Sequence, residues 1–299
     1  MNEVGFELEQ VALPTGVTLS VAVAGARGAS PVILLHGFPE SHRTWRAMIP
    51  DLARDHFVLA PDQRGFAGSS KPEGVENYTP DKPVGDLIAL ADHYGIDRFT
   101  LVGHDWGGAI AWMAALQRPE RVARLVILNA PHPLVFQKSV IDDPAQRAAS
   151  QYIRVLRDPG FEAQVAAMGF DAFFDKMLAA HVDMAKLGDE RETYIAQWSA
   201  PGALTPMLNW YRASAVEVPA VGEDAARPAF LDAPFPPVRV PTLVIWGTRD
   251  AALLPVQLDG LDALVPDLRV VRVDAGHFVP WEAPDAVIAA LRAWDAPVQ

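Results

Sequence analysis

The chain has 299 residues, 50% of them apolar and 21% charged, with a formal net charge of −12. That length allows one large α/β domain with an insertion, and the acidity disfavours electrostatic binding to nucleic acid or an anionic membrane. There is no cysteine, which excludes disulfides, thiolate metal sites and a cysteine nucleophile.

The first ten residues, "MNEVGFELEQ", show no basic flank followed by an apolar run. No apolar stretch approaches the ~18 residues that span a bilayer. A cytoplasmic protein without a membrane segment is expected. Along the chain, "FELEQVAL" (6–13) and "VTLSVAVAG" (17–25) alternate partly between apolar and polar residues and predict an opening pair of strands. "PVILLHG", "HFVLAPD", "RFTLVGHD" and "VARLVILNA" are nearly continuous apolar runs, the signature of strands buried on both faces of a parallel sheet. Between them "SHRTWRAMIPDLARD" (41–55), "TPDKPVGDLIALADHYG" (79–95) and "GGAIAWMAALQRPE" (107–120) carry apolar residues at helical spacing.

The alternation stops after Asn129. Helical spacing continues in "GFEAQVAAMGFDAFFDKMLAAHV" (160–182), but no buried strand follows until a proline-rich stretch, "RPAFLDAPFPPVRVP", has passed. Strand patterns return in "TLVIWGTRD" and "LRVVRVDAGHF", and "PDAVIAALRAW" predicts a closing helix. The expected organisation is an α/β core over 1–132 and 237–299, with a mostly parallel, doubly wound sheet, interrupted by a helical insertion over 133–236.

Gly103-His104-Asp105-Trp106-Gly107 reads G-x-D-x-G between a predicted strand and a predicted helix. Hydrolases present a serine on a sharp turn of the form G-x-S-x-G in this context. The glycines leave room for the bend, and the following helix N-terminus favours an anion. Asp105 could also simply cap that helix. Asp250 ends the strand of "TLVIWGTRD", and His277 follows "LRVVRV". The order of nucleophile, acid and histidine, each at a strand end, is that of a hydrolytic triad. Asp274, three residues before His277, is a second candidate acid. The loop "HGFPE" (36–40) follows a predicted strand, so the backbone N–H groups of Phe38 and Trp106 are candidate oxyanion donors. His36 is expected to brace that loop.

"HGFPES", "GHDWGG", "NAP", "LNWYR", "GTRD" and "GHF" together resemble the α/β-hydrolase superfamily, and its epoxide hydrolase branch more closely still, over essentially the whole chain. An aspartate near its reference pKa of about 3.9 is ionised at pH 7 and can displace a leaving group from saturated carbon, forming its own ester. His277, oriented by Asp250, would then activate a water against that ester. The resemblance implies water addition to an oxirane, with two cap tyrosines activating the ring oxygen. "MLNWYRAS" places Tyr211 in one of these roles and "SQYIRVLRDPGFEAQ" places Tyr152 in the other, with Tyr194 as the rival to Tyr152. Trp106, Phe38 and His132 are expected to line the substrate pocket, His132 at its rim.

No cofactor or metal is implied, and the expected partner is a small epoxide met by a monomer or homodimer. Two other readings compete. A dehalogenase could use the Trp106 indole as a halide donor, although Phe38 offers no second donor and Ala109 stands where haloacid enzymes carry an arginine. A non-catalytic ligand-binding scaffold is the other, although no triad position is missing.

Overall fold

The computed structural model describes residues 5–295. Eight strands form one sheet: β1 (Glu7–Ala12), β2 (Thr18–Ala24), β3 (Ser30–Leu35), β4 (His56–Pro61), β5 (Phe99–His104), β6 (Val122–Leu128), β7 (Thr242–Gly247) and β8 (Leu268–Val273), in the spatial order β1-β2-β4-β3-β5-β6-β7-β8. β2 runs antiparallel to both its neighbours; the remaining pairs are parallel. Each strand run read from the sequence is a strand here; the central ones are buried on both faces, which leaves a continuous apolar signal, while the edge strands β1 and β8 are partly exposed.

Successive residues of the central strands serve opposite faces. Ile33, Leu35, Leu59 and Leu101 pack on one side with Trp112, while Val32, Leu34, Val58 and Val102 pack on the other with Val287 and Leu291. β7 is buried along its whole length, whereas the edge strand β8 exposes Arg269 and Arg272. Charges on an edge discourage further strand pairing.

On the sheet lie α1 (Asp81–His93) and α2 (Trp106–Gln117). Between β6 and β7 the chain makes α3 (Pro133–Asp142), α4 (Gln151–Arg157), α5 (Phe161–Met168), α6 (Glu190–Ser199) and α7 (Leu204–Ala213), together with shorter turns and no strand. α8 (Pro284–Asp295) closes the described chain. No helix among the described residues is long and apolar enough to cross a membrane.

Two expected helices are broken. Over 41–55 there are only single turns, His42–Trp45 and Ile49–Leu52, because Pro50 cannot sit inside a helix and instead starts the second turn. The run 160–182 divides at Gly169, whose φ of 84° ends α5 before a short helix over Phe170–Phe174.

Candidate active site

The sheet order reverses between β3 and its neighbours β4 and β5, and a crevice opens at the carboxyl ends of such strands. Asp105, at the end of β5, has φ 49° and ψ −120°, a conformation L-residues avoid. Gly107 makes this bend sterically possible, since a Cβ there would lie 2.1 Å from the Leu35 carbonyl oxygen. A Cβ on Gly37 would lie 2.4 Å from Asp105 Oδ1, so the loop after β3 can press against the carboxylate only as glycine.

Asp105 occupies the N-cap position of α2 but its side chain caps nothing. Its Oδ1 instead accepts from the Phe38 N–H at 2.7 Å. Its Oδ2 lies 3.6 Å from His277 Nε2, longer than a good direct hydrogen bond.

His277 Nδ1 donates to Asp250 Oδ2 at 2.7 Å. Asp250 is buried, and burial alone would raise its pKa; His277 and hydrogen bonds from Leu253 and Asn129 more than offset this and hold it below the usual carboxylate range. Burial likewise disfavours a charge on His277, yet the carboxylates of Asp250 and Asp105 outweigh it and set its pKa well above 6.5. Asp274 is exposed and pairs with Arg249 at 2.7 Å, so it takes no part.

Tyr152 from α4 and Tyr211 from α7 face the same cavity as Asp105, with ring centroids 6.2 Å apart. Both hydroxyls are pushed above their ordinary pKa, first by burial and then by the Asp105 charge; for Tyr211 a hydrogen bond with Trp106 opposes the shift. They are therefore protonated donors at neutral pH. Tyr211 is wedged edge-on between Trp106 and Phe38, each centroid 5.1 Å away. Arg157 of α4 donates to the carbonyls of Tyr211, Ser214 and Val216, at 2.8, 3.0 and 2.8 Å. One guanidinium thus satisfies the C-terminal end of α7 and fixes the two tyrosine helices to each other.

The cavity has a volume of about 310 Å³ and an apolar wall including Ile110, Met113, Phe136, Ile153, Val216 and Leu253. Among the described residues, Asp105 is the only charged side chain lining it. The amide of Gln137, also in the wall, is occupied by the backbone of Glu217 at 2.8 and 2.9 Å. Among the described residues, no group of three or more His, Cys, Asp or Glu is placed to hold a metal ion.

A profile of the alpha/beta hydrolase fold matches residues 30–284. Epoxide hydrolase A of Mycobacterium tuberculosis is 34% identical over 96% of this chain and 97% of that protein. The AB hydrolase superfamily protein YfhM of Bacillus subtilis is 35% identical over 91% of this chain and 92% of its own. Among solved structures, one described under novel epoxide hydrolases in metagenomes from hot environments is 48% identical, with a TM-score of 0.90, covering 98% of this chain and 99% of that one. The inhibitor complex of a Bacillus megaterium epoxide hydrolase is 28% identical, with a TM-score of 0.83 over 96% of this chain and 99% of that one. The chain belongs to the epoxide hydrolase family of the α/β-hydrolase superfamily.

Within this epoxide hydrolase framework, three expected positions fall elsewhere. His132 is not at the pocket rim. It is fully buried between Trp112 and Phe235, and its Nδ1 accepts from Leu134 N–H to cap α3. Burial lowers its pKa to about 4, so it is a neutral structural residue. Phe38 supports Tyr211 from behind and is absent from the cavity wall. Tyr194 is buried against Trp198 and Trp281, also outside the cavity, which leaves Tyr152 as the tyrosine beside Tyr211. His36 braces its loop as expected, donating from Nδ1 to the Gly37 carbonyl and accepting at Nε2 from Gln63 N–H.

Two supports lie within the motifs "NAP" and "GHDWGG", although the sequence alone assigns them no role. Asn129, at φ 38°, donates to Asp250 Oδ2 at 2.7 Å while its Oδ1 accepts from Gly247 N–H. His104, fully buried, contacts Glu40 Oε2 through Nδ1 at 2.8 Å and donates from Nε2 to the His277 carbonyl at 2.9 Å. Glu40 in turn accepts from Trp281 Nε1 and from Thr44. The elbow, the loop after β3 and the backbone of His277 thereby form one buried network.

Proposed function

We propose that the chain hydrolyses a small, uncharged epoxide to a vicinal diol through an ester on Asp105. An Asp105 oxygen attacks an oxirane carbon, the carbon–oxygen bond breaks, and Tyr152 and Tyr211 donate to the departing oxygen. Such help is worth about 10²–10⁴-fold in rate. His277 then takes a proton from water, and the hydroxide adds to the Asp105 ester carbonyl. The Phe38 N–H, already 2.7 Å from Asp105 Oδ1, and that of Trp106 hold the resulting oxyanion. Collapse expels the diol oxygen, which takes the proton held by His277. The proton of the added hydroxide returns to the tyrosine that protonated the ring oxygen, and Asp105 is left a carboxylate with one oxygen taken from water.

The observation that carries this reading is an aspartate on a strained bend, facing two protonated tyrosines across an apolar cavity. Dehalogenation fits less well, because the Trp106 indole is engaged with Tyr211 and Phe38 is apolar. Residues 133–236 act on this reading as a cap inserted between core segments 1–132 and 237–299. A small neutral oxirane suits a wall without further charge, and a cytoplasmic enzyme fits a chain free of cysteine. Its assembly would be a monomer or homodimer.

The test is His277→Gln incubated with styrene oxide. Intact mass should rise by one substrate, and peptide mapping should place the adduct on Asp105. Diol formation without an adduct, or an adduct elsewhere, would reject the mechanism.

A further inference from the structure

Asp250 heads a loop whose backbone is used from two sides. Toward the site, the N–H groups of Ala252 and Leu253 both donate to Asp250 Oδ1 at 2.8 Å. Away from it, the Ala252 carbonyl and the Leu254 N–H are taken by one side chain, that of Gln146. Its Nε2 donates to the Ala252 carbonyl and its Oε1 accepts from Leu254 N–H, each at 2.9 Å. A neighbouring strand would offer the same pair of bonds. The remaining donor of the amide goes to Ser150 Oγ at 2.9 Å, immediately before α4. Gln146 is fully buried, so all three bonds are made away from water. A second buried amide repeats the connection, Gln257 Nε2 donating to Ser139 Oγ of α3 at 2.7 Å.

We infer that Gln146 is a positioning residue coupling the loop that orients Asp250 to the helix that carries Tyr152, and that ester hydrolysis depends on it most. The inference rests on the Asp105-ester reading. Asp250 acts only through His277, and two of the four donors to its carboxylate come from the loop that Gln146 holds. With the loop released, the carboxylate can rotate and His277 loses its line to water and ester. Misplacement by about 1 Å is enough to change rates by ~10²-fold. Ester formation is less exposed. It needs an ionised Asp105 and its tyrosines. α4 with Tyr152 stays tied by Gln151 and Arg154 donating to the Pro219 and Val218 carbonyls at 2.9 and 2.8 Å, and Tyr211 stays anchored by Arg157 and by Trp210 Nε1 donating to the Arg64 carbonyl at 3.1 Å.

The experiment is single-turnover kinetics with styrene oxide on Gln146→Met, which keeps the side chain's length but loses all three bonds, and on Gln146→Glu, which keeps the acceptor for Leu254 N–H. In Gln146→Met the hydrolysis rate constant should fall ~10-fold or more, with ester formation close to wild type, so that ester accumulates. Gln146→Glu should lie between. A smaller folded fraction lowers amplitudes and leaves rate constants alone, so an unchanged hydrolysis constant in both variants overturns the inference. Should Gln146→Met not fold, Gln146→Glu and Ser150→Ala carry the same measurement. Wild-type protein forming neither ester nor diol would instead reject the mechanism. The coupling is then read from the His277 Nδ1 proton resonance, which must shift or broaden in the variants; an identical resonance overturns it.

Discussion

The proposed core and the proposed cap deliver their candidate catalytic groups by different means. Asp105, Asp250 and His277 leave the ends of strands whose neighbours fix them through a backbone ladder. Tyr152 and Tyr211 ride on α4 and α7, only 7 and 10 residues long. Helices that short are not stable alone in water, so their positions come from packing and side-chain ties. In the core, topology brings the three groups together at the strand ends, and supports such as Asn129 and His104 then fix them. In the cap, placement depends on particular residues, Arg157 and Trp210 among them.

That contrast can be broken or sharpened by mutation. The largest effect is expected in the core. Asp250→Asn should reduce turnover by about 10³-fold or more, because the imidazole loses the group that sets its tautomer and orientation. It should also change the titration of His277 in a definite direction. Neighbouring anions favour the protonated imidazole, so removing one lowers the pKa from its raised value, and imidazole proton NMR should show the midpoint moving to lower pH. A midpoint that stays or rises would show that Asp250 does not govern the charge of His277.

Next come the cap tyrosines. Tyr152→Phe and Tyr211→Phe should each slow ester formation by about 10²-fold, within the range for general-acid assistance, and the double variant should lose more than either. Pre-steady-state kinetics would check this, and a double variant no slower than the singles would mean that only one tyrosine contributes. The smallest effect is expected at the mouth. Phe230 lines the cavity yet is 57% exposed, on a turn held by buried Leu231 and by Arg227 bridging to Asp142 and Asp232. Phe230→Ala should raise KM severalfold for long aryl epoxides and leave kcat for small ones unchanged, a loss of about 1 kcal/mol in apolar contact. Equal effects on small and long substrates would remove Phe230 from substrate selection.

The same contrast governs what was legible in the sequence. Buried strands announce themselves by apolar runs, and the elbow and triad by short motifs at strand ends, so the core and its candidate groups could be read directly. Pro50 was visible inside the run 41–55, but apolar spacing hid its consequence. The supports could not be read, because each depends on a partner distant in sequence: His104 and Glu40 are 64 residues apart, Asn129 and Asp250 are 121, and Gln146 and Ala252 are 106. His132 shows the converse error. A histidine just after a strand looked like pocket chemistry, yet the ring is packed among aromatics, and burial keeps it neutral.

On the proposed mechanism, the 3.6 Å separation between Asp105 Oδ2 and His277 Nε2 has a consequence for timing. While Asp105 carries its negative charge, it adds to the effect of Asp250 in raising the pKa of the imidazole beside it and so favours the protonated ring. On the same mechanism, esterification of Asp105 removes one of the two anions that raise this pKa, which shifts the ring toward its neutral, basic form. Covalent capture of substrate would, on that proposal, favour the form of His277 that hydrolyses the ester.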